Sequence, residues 1–166
     1  MSEELKQIID KIQNLEKRIT ELEAIIKSKK SENVLVIEKE DVIKKLATKI
    51  GVSDDKFNEV FDIEPDIITV LKFKGTNVKE KSQSIMLLTL LGYKYFKDRI
   101  EILSQEIRKN VAENGIPLDN FSTYINELSP QLVRRKGELK SPKTTYKLTV
   151  LGESKAKELL KELIGA

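Results

Sequence analysis

The sequence predicts a mainly α-helical chain with one small β-hairpin, an α+β arrangement, and three observations carry that expectation. Apolar residues recur every three or four positions over 5–26, residues 78–96 are apolar on most sides of a helix, and residues 132–150 become extended and β-branched around a basic loop. The same observations divide the chain into a coiled-coil helix (1–30), a small helical and strand segment (31–77) and a C-terminal domain (78–166).

Composition narrows the chemistry. A chain of 166 residues, 39% of them hydrophobic, has enough apolar surface for its own core. It contains no cysteine and no histidine. That removes disulfides, thiolate or imidazole metal sites, and the nucleophile–base pairs that depend on them. No apolar run approaches the roughly 20 residues of a membrane span, and the first residues are charged rather than signal-like. A soluble cytoplasmic protein with no membrane partner is therefore expected. Residues 78–166 carry 16 cations and 11 acids, whereas residues 34–77 carry 7 and 9. The positive excess is C-terminal, and a polyanionic partner is to be sought there.

Leu5, Ile8, Ile12, Leu15, Ile19, Leu22 and Ile26 follow an unbroken heptad. With Leu5 at position a, isoleucine dominates a and leucine d, the arrangement that favours parallel two-stranded coils. Lys11 and Arg18 at g then face Glu16 and Glu23 at e of a partner chain. The expectation is a homodimer through this helix. Ile9 and Ile25 widen the apolar face, which also permits a single helix folded back on its own domain.

Residues 27–33 lose the period and read as a linker, and Val34 to Ile37 is either a short strand or more loop. Val42, Ile43, Leu46 and Ile50 make a helix ending at Gly51, and Ser53 starts a second one through Phe57, Val60 and Phe61. Ala47, Gly51, Val52 and Ser53 have the spacing of a helix-turn-helix. The second helix, however, offers Asp54, Asp55 and Glu59, and Asp62, Glu64 and Asp66 follow. Phosphates would repel those carboxylates. A helical hairpin that packs or contacts protein is the better reading, which makes residues 54–66 a candidate protein-binding segment. A calcium loop over Asp62, Glu64 and Asp66 lacks the required glycine, where Ile67 stands, and the closing glutamate, where Phe73 stands. Ile67 to Phe73 is β-rich, to pair either with Val34 to Ile37 or with the C-terminal hairpin.

Val78 to Phe96 is helical and apolar over so much of its surface that it must be a core helix. Ile100, Leu103, Ile107 and Val111 predict the next helix, closed by Asn114 and Gly115. Phe121, Ile125 and Leu128 share one face of a short helix from Asp119, leaving Asn120, Ser122, Thr123 and Asn126 pointing away. A hairpin spans Leu132 to Val150, with Lys136 and Gly137 turning out of the first strand and Thr144 to Val150 forming the second. Between Arg134 and Lys147 stand six cations, Arg134, Arg135, Lys136, Lys140, Lys143 and Lys147, against one acid, Glu138. Ala156, Leu159, Leu160 and Leu163 give a closing helix from Glu153 to Ile164.

This order of helix, helix, turn, helix, hairpin and helix is similar to the winged helix-turn-helix superfamily of prokaryotes. The tail YKLTVLGESKAKELL, Tyr146 to Leu160, resembles the junction at which a Y-x-L-T-x-x-G string leaves the wing of such proteins and enters the last helix. The resemblance covers residues 78–166. It implies double-stranded DNA as partner, with Asn120, Ser122, Thr123 and Asn126 on a recognition helix. Arg134, Arg135, Lys136, Lys140, Lys143 and Lys147 would lie on a wing that contacts phosphates or the minor groove. Helix N-termini near Ser82 and Asp119 are further places for a phosphate.

The recognition helix departs from a typical reader. It has no Arg, Lys or Gln, and Glu127 adds an acid. Bidentate guanine reading is absent from it, and affinity is expected mainly from phosphate contacts of the wing. The expected function is a dimeric DNA-binding protein, either a transcriptional regulator or an accessory chromosome, plasmid or virus factor, nucleoid-associated in the cell. The competing expectation is a protein–protein adaptor using the same domain and the acidic segment. RNA stays open as a ligand, although Phe121, Tyr124 and Tyr146 read as core or strand residues rather than stacking platforms. No enzyme, cofactor or metal is expected, because the sequence has no phosphate-cradling glycine loop and no cluster of metal ligands.

Overall fold

The computed structural model of the chain describes residues 17–21, 44, 48, 56–138, 141 and 143–165. The chain forms two compact units, residues 1–40 and 41–166. In the first, residues 17–21 are helical and Ile19 is 54% exposed. The other heptad positions, Leu5, Ile8, Ile12, Leu15, Leu22 and Ile26, lie outside the described residues, as do Val34 to Ile37, the start of the middle helical hairpin, and Lys140.

The second unit is mixed α+β, mostly helical with two small antiparallel sheets. In chain order it contains α1 (Phe57–Val60), β1 (Phe61–Ile63), β2 (Ile68–Val70), α2 (Val78–Phe96), β3 (Ile102–Leu103), α3 (Ser104–Glu113), α4 (Phe121–Leu128), β4 (Val133–Lys136), β5 (Thr145–Leu148) and α5 (Val150–Ile164). β1 pairs with β2, and the other sheet has the order β3-β5-β4.

The helix α2 is the floor on which the rest is laid. Ile85, Met86, Leu87, Leu88, Leu90, Leu91 and Tyr93 are all buried, and α3, α4, α5, β2 and β5 pack around them. Each such side chain contributes about 2 kcal/mol when fully removed from water. The helix starts where its sequence makes a reciprocal cap. Asn77 Oδ1 accepts from the Glu80 N–H at 2.9 Å, and the Glu80 carboxylate accepts from the Thr76 N–H at 2.8 Å. Ser82 is therefore not at a helix start, as the sequence led us to expect. It lies inside α2, fully buried, and its hydroxyl has no hydrogen-bond partner.

The β1–β2 hairpin corrects the expected pairing of Ile67 to Phe73. Its strand pairs with its immediate predecessor, Phe61 against Val70 and Ile63 against Ile68, rather than with the C-terminal hairpin, while the alternative partner Val34 to Ile37 lies outside the described residues. Phe61 thus begins a strand where the sequence predicted helix. The hairpin lies close to α2 because Gly92 leaves room. A Cβ at residue 92 would come within 2.8 Å of Ile68 Cγ2. The outer edge of β2 is not left open. Asn110 of α3 accepts from the Val70 N–H at 2.8 Å and donates to the Ile68 carbonyl at 2.7 Å, while Asn114 donates to the Val70 carbonyl at 2.9 Å. Two asparagine side chains fill hydrogen-bonding positions that a neighbouring strand would take.

The helix predicted from Ile100 begins only at Ser104. Ile102 and Leu103 form β3 against Tyr146 and Thr145, and the Ser104 N–H extends the pairing to the Thr144 carbonyl at 2.8 Å. Ile100, at 59% exposure, contributes nothing to the core, whereas Ile102 is fully buried. At the other end of the sheet, the strand predicted to reach Val150 stops at Leu148, because Thr149 caps α5 with its hydroxyl accepting from the Gly152 N–H at 2.9 Å. Val150 is 87% exposed in the first turn.

The helices α2 and α5 are joined by one polar cluster. Burial of Glu153 opposes its ionisation, but hydrogen bonds from Lys157, Lys94 and Tyr95 outweigh this and hold the carboxyl at about 2. A carboxyl depressed in the folded state adds stability above its ordinary value near 4.5, and that stability is lost as pH falls from there towards 2. Urea denaturation at pH 7 and pH 3 should show Glu153→Gln less stable than wild type at pH 7, with the difference shrinking at pH 3; an equal deficit at both pH values refutes the linkage. Asn110→Ala leaves a buried N–H and a buried carbonyl unpaired and is expected to cost on the order of 3 kcal/mol by the same method. A loss below about 1 kcal/mol would mean that the edge of β2 does not depend on that amide.

Candidate nucleic-acid interface

The candidate interface consists of α4 and the β4–β5 hairpin. Phe121, Ile125 and Leu128 anchor α4 in the core, as their spacing predicts. The helix begins at Phe121, two residues after the expected start. Asp119 is exposed in the preceding turn, and Asn120 sits at the cap position without a side-chain capping bond. Thr123 is exposed, and Ser122 and Asn126 are half-buried on the same side of the helix. Gln83 Nε2 donates to the Tyr124 carbonyl at 3.0 Å, and Lys79 pairs with Glu127 at 2.7 Å, so α2 fixes α4 and counters its one acid.

The hairpin register sorts the cations by face. Val133 lies opposite Leu148, Arg134 opposite Lys147, Arg135 opposite Tyr146 and Lys136 opposite Thr145. Directly opposed residues share a face and alternate along the strand. Val133, Arg135, Tyr146 and Leu148 therefore face the core and α4, whereas Arg134, Lys136, Thr145 and Lys147 face outward. Lys143 is exposed on the returning arm. Gly137, at φ 100°, turns the chain out of β4 in a conformation that side chains disfavour.

Opposing Arg134 and Lys147 is unfavourable in itself, since like charges about 5 Å apart at Cβ repel. Glu101, just before β3, moderates this. Its carboxylate meets Lys136 at 3.0 Å and Lys147 at 3.9 Å. The hydrogen bond from Lys136, partly opposed by burial and aided by the charges of Lys136 and Lys147, holds the Glu101 carboxyl below the ordinary carboxylate range. With Arg134, Arg135, Lys136, Thr145, Tyr146 and Lys147 it lines a depression of about 250 Å³. Two cations, Lys136 and Lys147, and the Thr145 hydroxyl around one carboxylate form a site in which an external anion and Glu101 compete for the same donors.

Two further residues went unnoticed in the sequence. Glu101 was hidden inside a predicted helix. Arg108, on α3, lies far from α4 in sequence, yet its Nη2 donates to Ser122 Oγ at 3.0 Å and its guanidinium lies 4.2 Å from the Phe121 ring centroid. On the other flank, Arg135 Nη1 donates to Asn126 Oδ1 at 3.3 Å. A helix face that is neutral in sequence thus has a guanidinium at each side in space. Spacing along the chain gives no signal for either contact.

Among the described residues no group of carboxylates could hold a metal ion, and no helix is long and apolar enough to cross a membrane. No known protein family, curated protein or solved structure matches this chain.

Removing the internal counter-ion tests the charge arrangement directly. Glu101→Gln should strengthen binding to heparin roughly two- to fivefold at 0.1 M salt, the amount released when partly exposed ion pairs of this kind are broken. The check is the elution position on a heparin column. Elution at an unchanged salt concentration would show that Glu101 does not restrain Lys136 and Lys147.

Proposed function

We propose that residues 78–166 form a winged helix-turn-helix domain that binds double-stranded DNA, in a protein that acts as a dimeric transcriptional regulator or an accessory chromosome, plasmid or virus factor. The observation that carries this reading is the sheet order β3-β5-β4 with α3 and α4 between β3 and β4, so that α4 and a basic hairpin lie side by side. In the winged-helix reading α4 is the recognition helix and β4–β5 the wing. The outward cations Arg134, Lys136 and Lys147 supply phosphate contacts, and release of condensed counterions supplies most of the affinity. The sequence heptad over residues 5–26 supports a parallel dimer, which would set two such domains on half-sites about one helical turn apart.

The adaptor reading has its own support in the exposed carboxylates Asp62, Glu64 and Asp66 around the turn of the β1–β2 hairpin, a surface suited to a basic protein partner. A mobility shift with mixed-sequence duplex separates the two. A shift at micromolar protein favours the DNA reading, and none at moderate salt favours the adaptor.

Replacing Arg134, Lys136 and Lys147 together by Gln is expected to weaken binding to every duplex and reduce the slope of log K against log salt by about 2–3, since each phosphate neutralised contributes roughly 0.9. The measurement is fluorescence anisotropy over a salt series. An unchanged slope removes the outward face of the hairpin from the interface.

A further inference from the structure

Two arginines, Arg99 before α3 and Arg108 within it, are used differently by the structure. Arg99 has its donor fork consumed by Glu106, with both Nη atoms at 2.7 Å from the two carboxylate oxygens. Arg108 has no carboxylate partner among the described residues. It is held instead by the Phe121 ring beneath it and by a single hydrogen bond to Ser122. The ring is itself fixed, being 1% exposed in the core. Arg108 is therefore ordered at the start of α4 with most of its planar donor fork unspent.

An ordered guanidinium with unspent donors is pre-organised for an acceptor, because little side-chain freedom is left to lose when one binds. The acceptor must take two parallel N–H donors in one plane. It must also lie next to the N-terminal half of α4, the part of a recognition helix that reaches base edges. Guanine offers that geometry in the major groove through O6 and N7. Asn120, Ser122, Thr123 and Asn126 cannot supply two parallel donors. Arg135 has the right chemistry, but it is exposed and tied by one long bond to Asn126.

We propose that Arg108, delivered from α3 and fixed on Phe121 and Ser122, is the guanine-reading residue of this interface. The inference rests on the duplex-binding reading given above. It assigns base discrimination to a residue outside both the recognition helix and the wing, and phosphate affinity to the outward cations of the hairpin.

The test selects duplexes from a randomised library with wild type and with Arg108→Lys, each as the full chain, then measures binding of both proteins to the duplex that wild type selects. Lysine keeps a cation over the ring but loses the bidentate fork. Wild type should enrich a guanine at a defined position and lose about tenfold in affinity when that base is replaced by 7-deazaguanine, which lacks the N7 acceptor. Arg108→Lys should bind mixed duplex within about twofold of wild type at low salt, yet be indifferent to the 7-deaza replacement. Three results overturn the proposal: wild type indifferent to 7-deazaguanine, a selected sequence unchanged in Arg108→Lys, or an equal loss on all duplexes, which would make Arg108 a phosphate contact. The wild-type 7-deaza measurement stands even if the variant fails to fold. Failure of wild type to bind any duplex would remove the DNA reading as well, whereas binding without base preference would remove this inference alone.

Discussion

The carbonyl of Leu132 is the point on which the basic hairpin turns. The Thr149 N–H donates to it at 3.0 Å, the Thr149 hydroxyl lies 3.2 Å away while donating to the Gln131 carbonyl, and residue 152 passes so close that a Cβ there would sit 1.8 Å from it. Only glycine permits that approach without moving backbone. The contact joins the root of β4 to the first turn of α5, and α5 packs on α2 and α1. The hairpin is therefore clamped where it leaves the core. The Thr149 and Gly152 positions of the Y-x-L-T-x-x-G string thus have a physical cause: one residue caps a helix with its side chain, and the other makes room for a neighbouring strand.

A clamp at the root explains how the sheet tolerates its charge. The two strands are short, and one of the four opposed pairs sets Arg134 against Lys147. The inner face must hold the pairing, and it does so with Val133, Tyr146 and Leu148 against the core. The outer face is free of that duty and carries cations moderated by Glu101. Such an ion-pair arrangement adds little stability at a surface. Its consequence is electrostatic: the carboxylate lowers the local field without filling the depression, so that a stronger anion can take its place.

The parts legible in the sequence were those set by local periodicity. The extent of α2, the buried face of α4 and the existence of the hairpin all follow from spacings within one element. What failed were choices between competing periods. Ile100, Leu103 and Ile107 fit a helix, but Ile102 gains more by pairing beside Tyr146, and two residues of strand are too short to leave a pattern of their own. Phe61 continued an apolar helical face until its pairing with Val70 claimed it. The candidate site was legible in its cations, not in their grouping. Arg134 and Arg135 are neighbours in sequence but lie on opposite faces, while Arg108 and Ser122 meet across separate helices.

That grouping bears on how an interface of this kind would work under the duplex-binding reading. Outward cations with flexible side chains, such as Lys136 at 76% side-chain exposure, can follow a phosphate backbone of any sequence, and their contribution is screened by salt. A guanidinium stacked on a buried ring has little of that freedom, and gains only from an acceptor presented in one place and one plane. The strand alternation of β4 keeps Arg134 and Lys136 on the face away from α4, the helix on which Arg108 is stacked. Affinity and discrimination can then be altered independently: changes on the outward face leave the α4 side untouched, and changes around Phe121 leave the phosphate contacts in place. The clamp at Leu132 makes this separation mechanical as well as chemical, because the register that sorts the cations is set at the strand root, next to the core.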